Sequence, residues 1–421
     1  MNSESRLGKI YYRFRLILDS EPRLRKIFYR LYRLYRLYHK IKFIKPYWGL
    51  REFFCGYFYQ DRQNDNSKKI LIDKFRQKLK VKGVIIPTSS GRVAIELALK
   101  VLKNNCSTKQ KVIIPTYGCK GTFDPIIKVG LTPVFVDIDK NLNISKDSVS
   151  KVLNTNEDVL AIVVPHLGGC KAEVEEIASM AKEKGIVIIE DVCQSLGRKD
   201  SNIFLGTRYD MSIFSFGMGK NLMATAGGIL TSRILKEDIH TEAKKLRRED
   251  TKLVKRRFRN LLFKYFSIFD RSTDRDLLSS YKYNEMHPLD AKLISLQLDK
   301  LETIIQKRRE NAKIIITALY KTNYRFSIQN HKNHIYTKLS IIFEDPKDCN
   351  KLERSLYKAD IDPERMYTPL HLRKFAVNFS PKVGVPISED KYKMVFNIPV
   401  RPNLTKRQLN RIIKAIENAN S

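Results

Sequence analysis

The chain has 421 residues, more than one hydrophobic core usually accommodates, so the sequence predicts two folded units. Lysine and arginine number 79 against 45 aspartate and glutamate residues, a formal charge of +34 that favours anionic partners such as phosphorylated substrates, lipid surfaces or nucleic acid. The six cysteines include no C-x-x-C pair, which argues against a disulfide framework or zinc site and favours reduced thiols in the cytoplasm. No apolar run approaches the ~18 residues of a membrane-spanning helix.

Residues 1–69 are predicted to form a basic, aromatic arm. The stretch FYRLYRLYRLYHK, from Phe28 to Lys40, repeats Leu-Tyr-Arg, and as a helix it would present a broad Leu/Tyr face edged with arginines. That profile is typical of a helix lying in a membrane interface. Packing against a partner protein or against the chain itself, and nucleic-acid binding, remain open as alternatives.

From residue 70 onward, short β-branched runs alternate with amphipathic helical patterns. This alternation predicts a large domain over 70–310, with a mostly parallel sheet covered by helices on both faces. Ligands of such sheets bind at the carboxyl ends of the strands. The predicted strands are VIIPT, KVIIPTY, TPVFVDID, VLAIVVPH and GIVIIEDV, and the predicted helices include Leu71 to Lys82 and Lys171 to Lys184.

A second basic and aromatic stretch, Lys244 to Phe269, lies in a predicted insertion at 244–275 of the large domain. It mixes cations with Leu, Phe and Tyr as the arm does, so it is a second candidate for contact with a membrane surface. Renewed alternation of strands and helices after the insertion predicts a smaller α/β domain over 311–421, with helices at Asp348 to Ala359 and Thr405 to Asn418.

A single lysine, Lys220, stands between a strand-like apolar run and a glycine-rich stretch. A nucleotide-binding P-loop is excluded, because Phe214 and Asn221 occupy the places where that motif requires glycine and Ser or Thr. Two interpretations remain: an exposed loop lysine, or an amine held next to a reactive carbonyl group. Three polar groups at predicted strand ends favour the second: Ser89-Ser90-Gly91, Pro165-His166 and Glu190-Asp191.

The order of these motifs resembles the nucleotide-sugar aminotransferases of the DegT/StrS type, which are pyridoxal-phosphate enzymes of fold type I, the aspartate-aminotransferase fold. The similar segments cover roughly residues 70 to 418. They are Ser90 to Ile95, Gly130 to Asp139 (GLTPVFVDID), Val164 to Gly169 (VPHLGG), Ile189 to Gly197 (IEDVCQSLG), Ser215 to Gly228, Tyr367 to His371 (YTPLH) and Ile398 to Thr405 (IPVRPNLT).

The resemblance implies a pyridoxal 5'-phosphate cofactor and a site without metal. Lys220 would hold the cofactor covalently and then transfer a proton, while Asp191 would keep the pyridine nitrogen protonated. Gln194 would contact the ring hydroxyl, and Ser215 would join the start of the Ser90-Gly91 helix at the phosphate. The full set of expected cofactor contacts is Ser90, Gly91, Arg92, Cys119, His166, Asp191, Cys193, Gln194, Ser215 and Lys220.

The sequence departs from the family pattern at several of these places. Arg92 replaces a threonine, and it could add a cation to the phosphate site or face solvent. Cys119 stands where the family stacks an aromatic ring on the cofactor, and Cys193 stands where a small residue packs under the other ring face. The cofactor would then lie between two thiols; two buried structural cysteines are the alternative.

The residues expected at the substrate are His371, Tyr283 and Asn284. His371 is expected at the rim of the site. The segment in which the family brings an asparagine from the partner subunit to the phosphate reads Tyr281 to Met286 here. Tyr283 falls on the asparagine position, and Asn284 is one residue away. The family's Gly and Arg are missing from this segment, which is a further departure from the family pattern.

The resemblance therefore implies an aminotransferase that moves an amino group from an amino acid, expected to be glutamate, to a nucleotide-linked keto sugar in the synthesis of a cell-surface polysaccharide or related glycan. A cytoplasmic homodimer is expected, with peripheral contact at the inner membrane face through residues 1–50 and 244–269. One alternative is a pyridoxal-phosphate enzyme acting on a lipid-linked or acyl substrate at a membrane. The other is a non-catalytic binding protein of the same fold. Nucleic acid is not expected to be the main partner.

Overall fold

The computed structural model describes residues 40–61, 65–266, 281–329, 332–379, 381 and 383–420. The Leu-Tyr-Arg repeat up to His39 and the part of the insertion from residue 267 to residue 275 lie outside the described residues. The helix and the membrane contact predicted for residues 1–39 therefore stay predictions.

The larger part of the chain is built on a seven-stranded sheet in the order β1-β9-β8-β5-β4-β2-β3. All neighbouring strands are parallel except where β9 pairs with β1 and β8. The strands are β1 (Val84–Thr88), β2 (Lys111–Pro115), β3 (Thr132–Val136), β4 (Val159–Pro165), β5 (Val187–Asp191), β8 (Met211–Ser215) and β9 (Gly228–Ser232). A two-stranded hairpin, β6 (Lys199–Asp200) and β7 (Ile203–Phe204), lies between β5 and β8 in the chain.

Helices cover this sheet because its strands are apolar on both faces, and β4 is buried along its whole length. The described helices of this part are α1 (Leu50–Tyr57), α2 (Ser67–Leu79), α3 (Gly91–Asn105), α4 (Lys120–Lys128), α5 (Lys146–Leu153), α6 (Val174–Glu183), α7 (Lys236–Ala243), α8 (Thr251–Phe266) and α9 (Pro288–Leu298). Helix α2 ends one turn before the predicted Lys82, because Lys80 takes up a left-handed backbone conformation with φ 56°.

A second, smaller sheet is antiparallel, in the order β10 (Phe326–Ile328), β11 (Leu339–Phe343) and β12 (Val395–Ile398). Its core includes Phe343, Phe396 and the buried faces of the helices α11 (Pro346–Lys358) and α13 (Lys406–Asn420). The short helix α12 (Pro386–Lys391) precedes β12.

Helix α10 (Leu301–Leu319) belongs to both cores. Leu301, Ile304 and Ile305 pack in the core beneath the large sheet, whereas Ala312 and Ile315 pack with the small sheet. The boundary proposed from the sequence at residues 310 and 311 therefore falls inside one continuous helix.

Residues 40–48, which we call the strap, run from the small sheet to the large one. At one end Ile41 donates its amide to Asp360 O (2.9 Å) and accepts from the amide of Asp362 (2.9 Å). At the other end the indole of Trp48 donates to Met223 O (2.9 Å). Between them, Arg401 Nε donates to Lys42 O (3.0 Å). The strap therefore ties both cores together.

The described part of the basic insertion folds onto the body of the protein. Val254, Phe258 and Leu261 of α8 are buried in the core beneath the large sheet, and the Phe258 ring stacks on Trp48 with centroids 5.5 Å apart. The described end of the basic, aromatic arm thus contacts the described part of the insertion.

Candidate functional site

The residues that could take part in catalysis or ligand binding lie at one edge of the large sheet. Asp191 ends β5, Ser215 ends β8, and the turn Ser89-Ser90-Gly91 follows β1. These strands point the same way, so their carboxyl ends open onto a common cleft, as the sequence predicts.

The start of α3 forms a close cradle with the ends of β5 and β8. A Cβ atom on Gly91 would lie 3.2 Å from Ser215 Cβ and 3.3 Å from Cys193 Sγ. Ser90 caps the helix by accepting a hydrogen bond from the Val93 amide (3.4 Å). The helix therefore presents backbone amides at its amino end, with a Ser215 hydroxyl beside them, and this donor set suits a phosphate.

Lys220 lies half-buried in the loop between β8 and β9. The loop turns at Gly219, whose φ of 82° is in the left-handed region that favours glycine. Asn221 fixes the loop on the other side of Lys220, because its side chain donates to Leu196 O (2.9 Å) and accepts from the Thr337 hydroxyl (3.0 Å). This loop therefore holds the lysine backbone firmly at the cleft.

Asp191 and Cys193 form the floor of the cleft. Asp191 Oδ1 accepts a hydrogen bond from the Cys193 amide (2.9 Å), which fixes the carboxylate. Burial raises the pKa of the Cys193 thiol well above its usual range, the Asp191 charge raises it further, and the Lys220 charge opposes both. The Cys193 thiol therefore lies within electrostatic reach of both Asp191 and Lys220, which brings the three side chains together at one cleft.

Gln194 is held at both ends of its amide. Its Oε1 accepts from the Gly168 amide (3.0 Å), and its Nε2 donates to the Tyr367 hydroxyl (2.8 Å). Tyr367, which belongs to the similar segment YTPLH, was not among the predicted site residues. The segment itself was the available signal.

His166 has a different environment from the one expected. Its ring is fully buried, with Nε2 3.0 Å from Glu190 Oε1 and Nδ1 accepting from the Ala172 amide (3.0 Å). Both ring nitrogens are thus occupied within the protein, which gives His166 a structural task. A cofactor contact would have to use the ring face, and it stays a prediction.

Arg92 and Cys119 sit on either side of the start of α4. The Arg92 guanidinium has Nη1 3.8 Å from Asp124 Oδ2 and lies 4.9 Å from the centre of the Tyr281 ring. Cys119 caps α4, its sulfur accepting from the Gly121 amide (3.3 Å), and its side chain is exposed. Roles at the phosphate for Arg92 and against the cofactor ring for Cys119 remain predictions.

The three expected substrate residues lie in different environments. His371 bridges two elements, with Nδ1 2.5 Å from Thr116 Oγ1 and Nε2 2.9 Å from Glu389 Oε1. Tyr283 turns away from the cleft: its hydroxyl donates to Glu242 (3.1 Å), and Lys100 Nζ lies 3.6 Å from its ring centre.

Asn284 lies closer to the site. Its carbonyl accepts from the Ser89 amide (2.9 Å), so it borders the turn at the proposed phosphate site of its own chain. Contact of either Tyr283 or Asn284 with a substrate stays a prediction.

A partly buried ion pair near Lys220 was not predicted from the sequence. Lys338 Nζ is paired with the Glu364 carboxylate, and the Lys338 amide donates to Gly168 O (3.0 Å). Burial lowers the pKa of Lys338, and the Lys220 charge lowers it further while Glu364 opposes this. The only signal in the sequence was a lysine at the start of an apolar strand, which most often marks a solvated strand end.

Among the described residues, no group of His, Cys, Asp and Glu side chains is arranged to hold a metal ion. In the same part of the chain, no helix is long and apolar enough to cross a membrane.

Two solved structures illustrate the fold that this chain shares with known proteins. PseC of Helicobacter pylori, an aminotransferase involved in the biosynthesis of pseudoaminic acid, superposes with a TM-score of 0.75 at 18% identity and covers 90% of this chain and 99% of its own. The GDP-4-keto-6-deoxy-D-mannose-3-dehydratase of E. coli, solved with bound hydrated pyridoxal phosphate, gives a TM-score of 0.72 at 20% identity, covering 90% and 100%. The predicted fold type I architecture is thereby confirmed.

Sequence comparison leads to the same family. The GDP-perosamine synthase of Vibrio cholerae is 25% identical over 365 residues, which are 84% of this chain and 92% of that protein. The model of the DegT/DnrJ/EryC1/StrS aminotransferase family matches residues 65–417. The match spans most of the chain and both sheets, and it confirms the predicted aminotransferase class with its pyridoxal-phosphate cofactor. The chain therefore belongs to the DegT/DnrJ/EryC1/StrS aminotransferase family.

Proposed function

We propose that this protein transfers an amino group from glutamate to the keto group of a nucleotide-linked sugar. The observation that carries the proposal is that Lys220, Asp191 and the cradle of Gly91 and Ser215 lie at one cleft, in a fold that is typical of the family. Lys220 also argues against the activity of those relatives that dehydrate sugars, which have a histidine at this place. The product would enter a cell-surface polysaccharide or related glycan.

The residues present fit pyridoxal phosphate. Because Gly91 has no Cβ, a phosphate can come close to the helix amides and to Ser215. An amine, a carboxylate and an amide lie at the same cleft. When bound, pyridoxal phosphate supplies a carbonyl carbon that binds the amino nitrogen and a ring that accepts electrons.

Each side chain then has a separate task. Lys220 Nζ would hold the cofactor covalently in the resting protein, and as a free amine it would carry a proton to and from the substrate carbon. The Asp191 carboxylate, fixed by the Cys193 amide, favours a proton on a neighbouring ring nitrogen. Gln194, held by Gly168 and Tyr367, would contact the ring hydroxyl and so help to orient the ring. Ser215 and the start of α3 hold the phosphate.

The half-reaction with glutamate tests the proposal. Purified protein loaded with the cofactor should lose its lysine-bound absorbance on addition of glutamate and gain that of pyridoxamine phosphate. GDP-4-keto-6-deoxy-D-mannose, the sugar in the name of the E. coli relative, is the first acceptor to supply for the return reaction. The variant Lys220→Arg, which keeps the charge but not the nucleophile, should show no conversion. Failure of the wild type with every amino donor would overturn the aminotransferase proposal.

We also propose that the active form is a cytoplasmic homodimer. In the family pattern the segment around Tyr283 and Asn284 reaches the partner's site, and here it lies against the turn of Ser89 next to the cleft. Light scattering should give twice the mass of one chain. A monomer active in the glutamate half-reaction would contradict the dimer without affecting the chemistry.

A further inference from the structure

Helix α1 and Phe58, the residue that follows it, expose several large apolar side chains. Phe54 is 49% exposed, Tyr57 65% and Phe58 67%, although the helix is fixed to the body through its buried residues Glu52 and Gly56. These rings stack in pairs, Phe54 against Phe58 and the half-buried Phe53 against Tyr57, each pair with centroids 5.9 Å apart. They form a continuous aromatic ridge, and such patches on a protein surface mark contact sites.

A cavity of about 460 Å³ opens beside this ridge. Phe54, Phe58 and Ile70 are among its apolar lining residues, and Asp65, Lys292 and Ser295 are among its polar ones. The cavity therefore adds apolar surface next to the ridge.

Helix α8 lies against α1 and supplies positive charge. Its sixteen residues contain no acidic side chain, and Lys252, Lys255, Arg256 and Arg259 are exposed. The two helices touch where the Phe258 ring packs on Gly56, so closely that a Cβ there would lie 2.0 Å from the ring. The aromatic ridge and the cationic face therefore belong to one region of the surface.

Glu52 and Asp61 of this region pair with cations of the protein, whereas Asp65 and the exposed Asp250 before α8 accept hydrogen bonds from neutral donors. Glu52 is buried and pairs with Lys300 (2.6 Å), and Asp61 pairs with Arg248 (2.7 Å). Asp65 accepts hydrogen bonds from the Ser67 amide (2.7 Å) and the Tyr59 hydroxyl (3.3 Å). The cations of α8 thus dominate the charge next to the ridge.

We propose that α1 and α8 together form a docking surface for an anionic lipid bilayer. The aromatic side chains of α1 enter the headgroup region, and the exposed cations of α8 meet the lipid phosphates. The inference does not depend on the proposed reaction, and it assigns to folded residues the membrane contact that the sequence indicated for two separate segments.

Charge favours a bilayer over a second copy of the chain. A twofold contact would bury the same surface on both subunits and so bring the cations of two α8 helices into one interface. An anionic membrane attracts those cations and also accepts the exposed rings.

Vesicle co-sedimentation of the full chain tests the proposal, with phosphatidylcholine vesicles prepared with and without phosphatidylglycerol. The wild type should bind only the anionic vesicles, and less as salt rises. Two double variants change the surface: Phe54→Ser with Phe58→Ser, and Lys255→Glu with Arg259→Glu. Each should lower the partition coefficient at least about tenfold.

A matched control uses α11, which carries the exposed residues Lys351, Tyr357 and Lys358. Tyr357→Ser combined with Lys351→Glu and Lys358→Glu should bind within about twofold of the wild type. Unchanged thermal unfolding and an unchanged glutamate half-reaction in all variants would show that fold and chemistry are intact.

Three outcomes would overturn the proposal. The wild type could fail to bind anionic vesicles, or the surface variants could bind as well as the wild type, which would locate the contact elsewhere in the chain. Alternatively, light scattering without lipid could show that the surface variants dissociate an oligomer that the wild type forms. This surface would then be an interface between copies.

Discussion

Asp191 shows how much of the proposed chemistry depends on a single charge. The Cys193 amide fixes one of its oxygens, so the carboxylate keeps its position whether or not a ligand is bound. An asparagine could accept the same hydrogen bond but would carry no charge. The charge and the position of this side chain can therefore be separated by one substitution.

We expect Asp191→Asn to bind pyridoxal phosphate and to lose about 10²- to 10⁴-fold in the rate of the glutamate half-reaction, because the ring nitrogen would no longer be kept protonated. Stopped-flow absorbance of the half-reaction measures the rate, and thermal unfolding checks the fold. A rate equal to that of the wild type would show that Asp191 does not act on the ring.

Asp290 is a second buried carboxylate, located at the glycine-rich end of the Lys220 loop. Its Oδ1 accepts from the amide of Thr225 (2.8 Å) and its Oδ2 from the Thr225 hydroxyl (3.1 Å). Burial raises the pKa of Asp290 to about 7, and Glu249 raises it further, against the hydrogen bonds of Thr225. The folded protein therefore retains this proton to a higher pH than the unfolded chain does.

This difference predicts a pH-dependent stability. Between pH 3.8, the ordinary pKa, and about pH 7, the Asp290 carboxyl binds the proton in the folded state but not in the unfolded state. The contribution of this proton to the free energy of unfolding is therefore complete below pH 3.8 and is lost as pH rises through about 7. The slope is at most about 1.4 kcal/mol per pH unit. Asp290→Asn can keep both bonds to Thr225, and urea unfolding at about pH 5 and about pH 7 should show that it removes this slope. Equal slopes in both proteins would contradict the assignment.

At the scale of elements, the amino end of α3 places the cleft. The helix begins at Gly91 because Ser90 caps it, and Gly228 of β9 lies so close that a Cβ on it would be 2.3 Å from Ser90 C. Glycine at both positions thus lets strand and helix start meet. The cradle is a consequence of how these two elements pack.

Gly91→Ala should weaken cofactor binding without unfolding the protein. The added methyl group would lie 3.2 Å from Ser215 Cβ and 3.3 Å from Cys193 Sγ, in the space assigned to the phosphate. The matched control is Gly217→Ala in the Lys220 loop, where no atom lies within 4 Å of the new Cβ. Titration of the apo-protein with pyridoxal phosphate should give a dissociation constant at least about tenfold higher for Gly91→Ala alone. Equal affinities would show that the phosphate binds elsewhere.

The sequence predicted these elements well where their signals are local. Strand ends, helix caps and glycine turns depend on residues that are close in sequence. Asp191, Ser215 and Lys220 could therefore be predicted to lie around one cleft from the sequence alone. Side-chain direction depends on distant partners instead. Tyr283 turns to Glu242, Arg92 to Asp124 and His166 to Glu190, and none of these pairings follows from local sequence.

At the scale of the whole molecule, the strap joins the two cores. Ile44 lies next to the Lys220 loop, with its Cδ1 3.3 Å from the position of a Cβ on Gly219. Arg401 anchors the strap from the small domain, donating to Lys42 O and to Asn403, and its burial lowers its pKa to about 10. Movement of one core relative to the other would therefore be transmitted to the loop that holds Lys220.

Arg401→Met should destabilise the protein by about 2 kcal/mol, because buried carbonyl oxygens such as that of Lys42 lose their donor. It should also expose the strap to limited proteolysis. Arg325→Met is the matched control: this side chain is 77% exposed and its nitrogen is 3.6 Å from Glu344, so the expected change is within about 0.5 kcal/mol. Equal destabilisation by both substitutions would contradict the anchoring role of Arg401.

The strap also constrains the order of folding. Lys42 and Arg401 are 359 positions apart in the chain, yet they share a buried hydrogen bond. During synthesis, residue 42 leaves the ribosome long before its anchor exists, and contacts of such sequence separation form slowly. Both sheets can assemble from nearer neighbours first, so we expect the early-made residues 40–48 to be among the last to reach their native position.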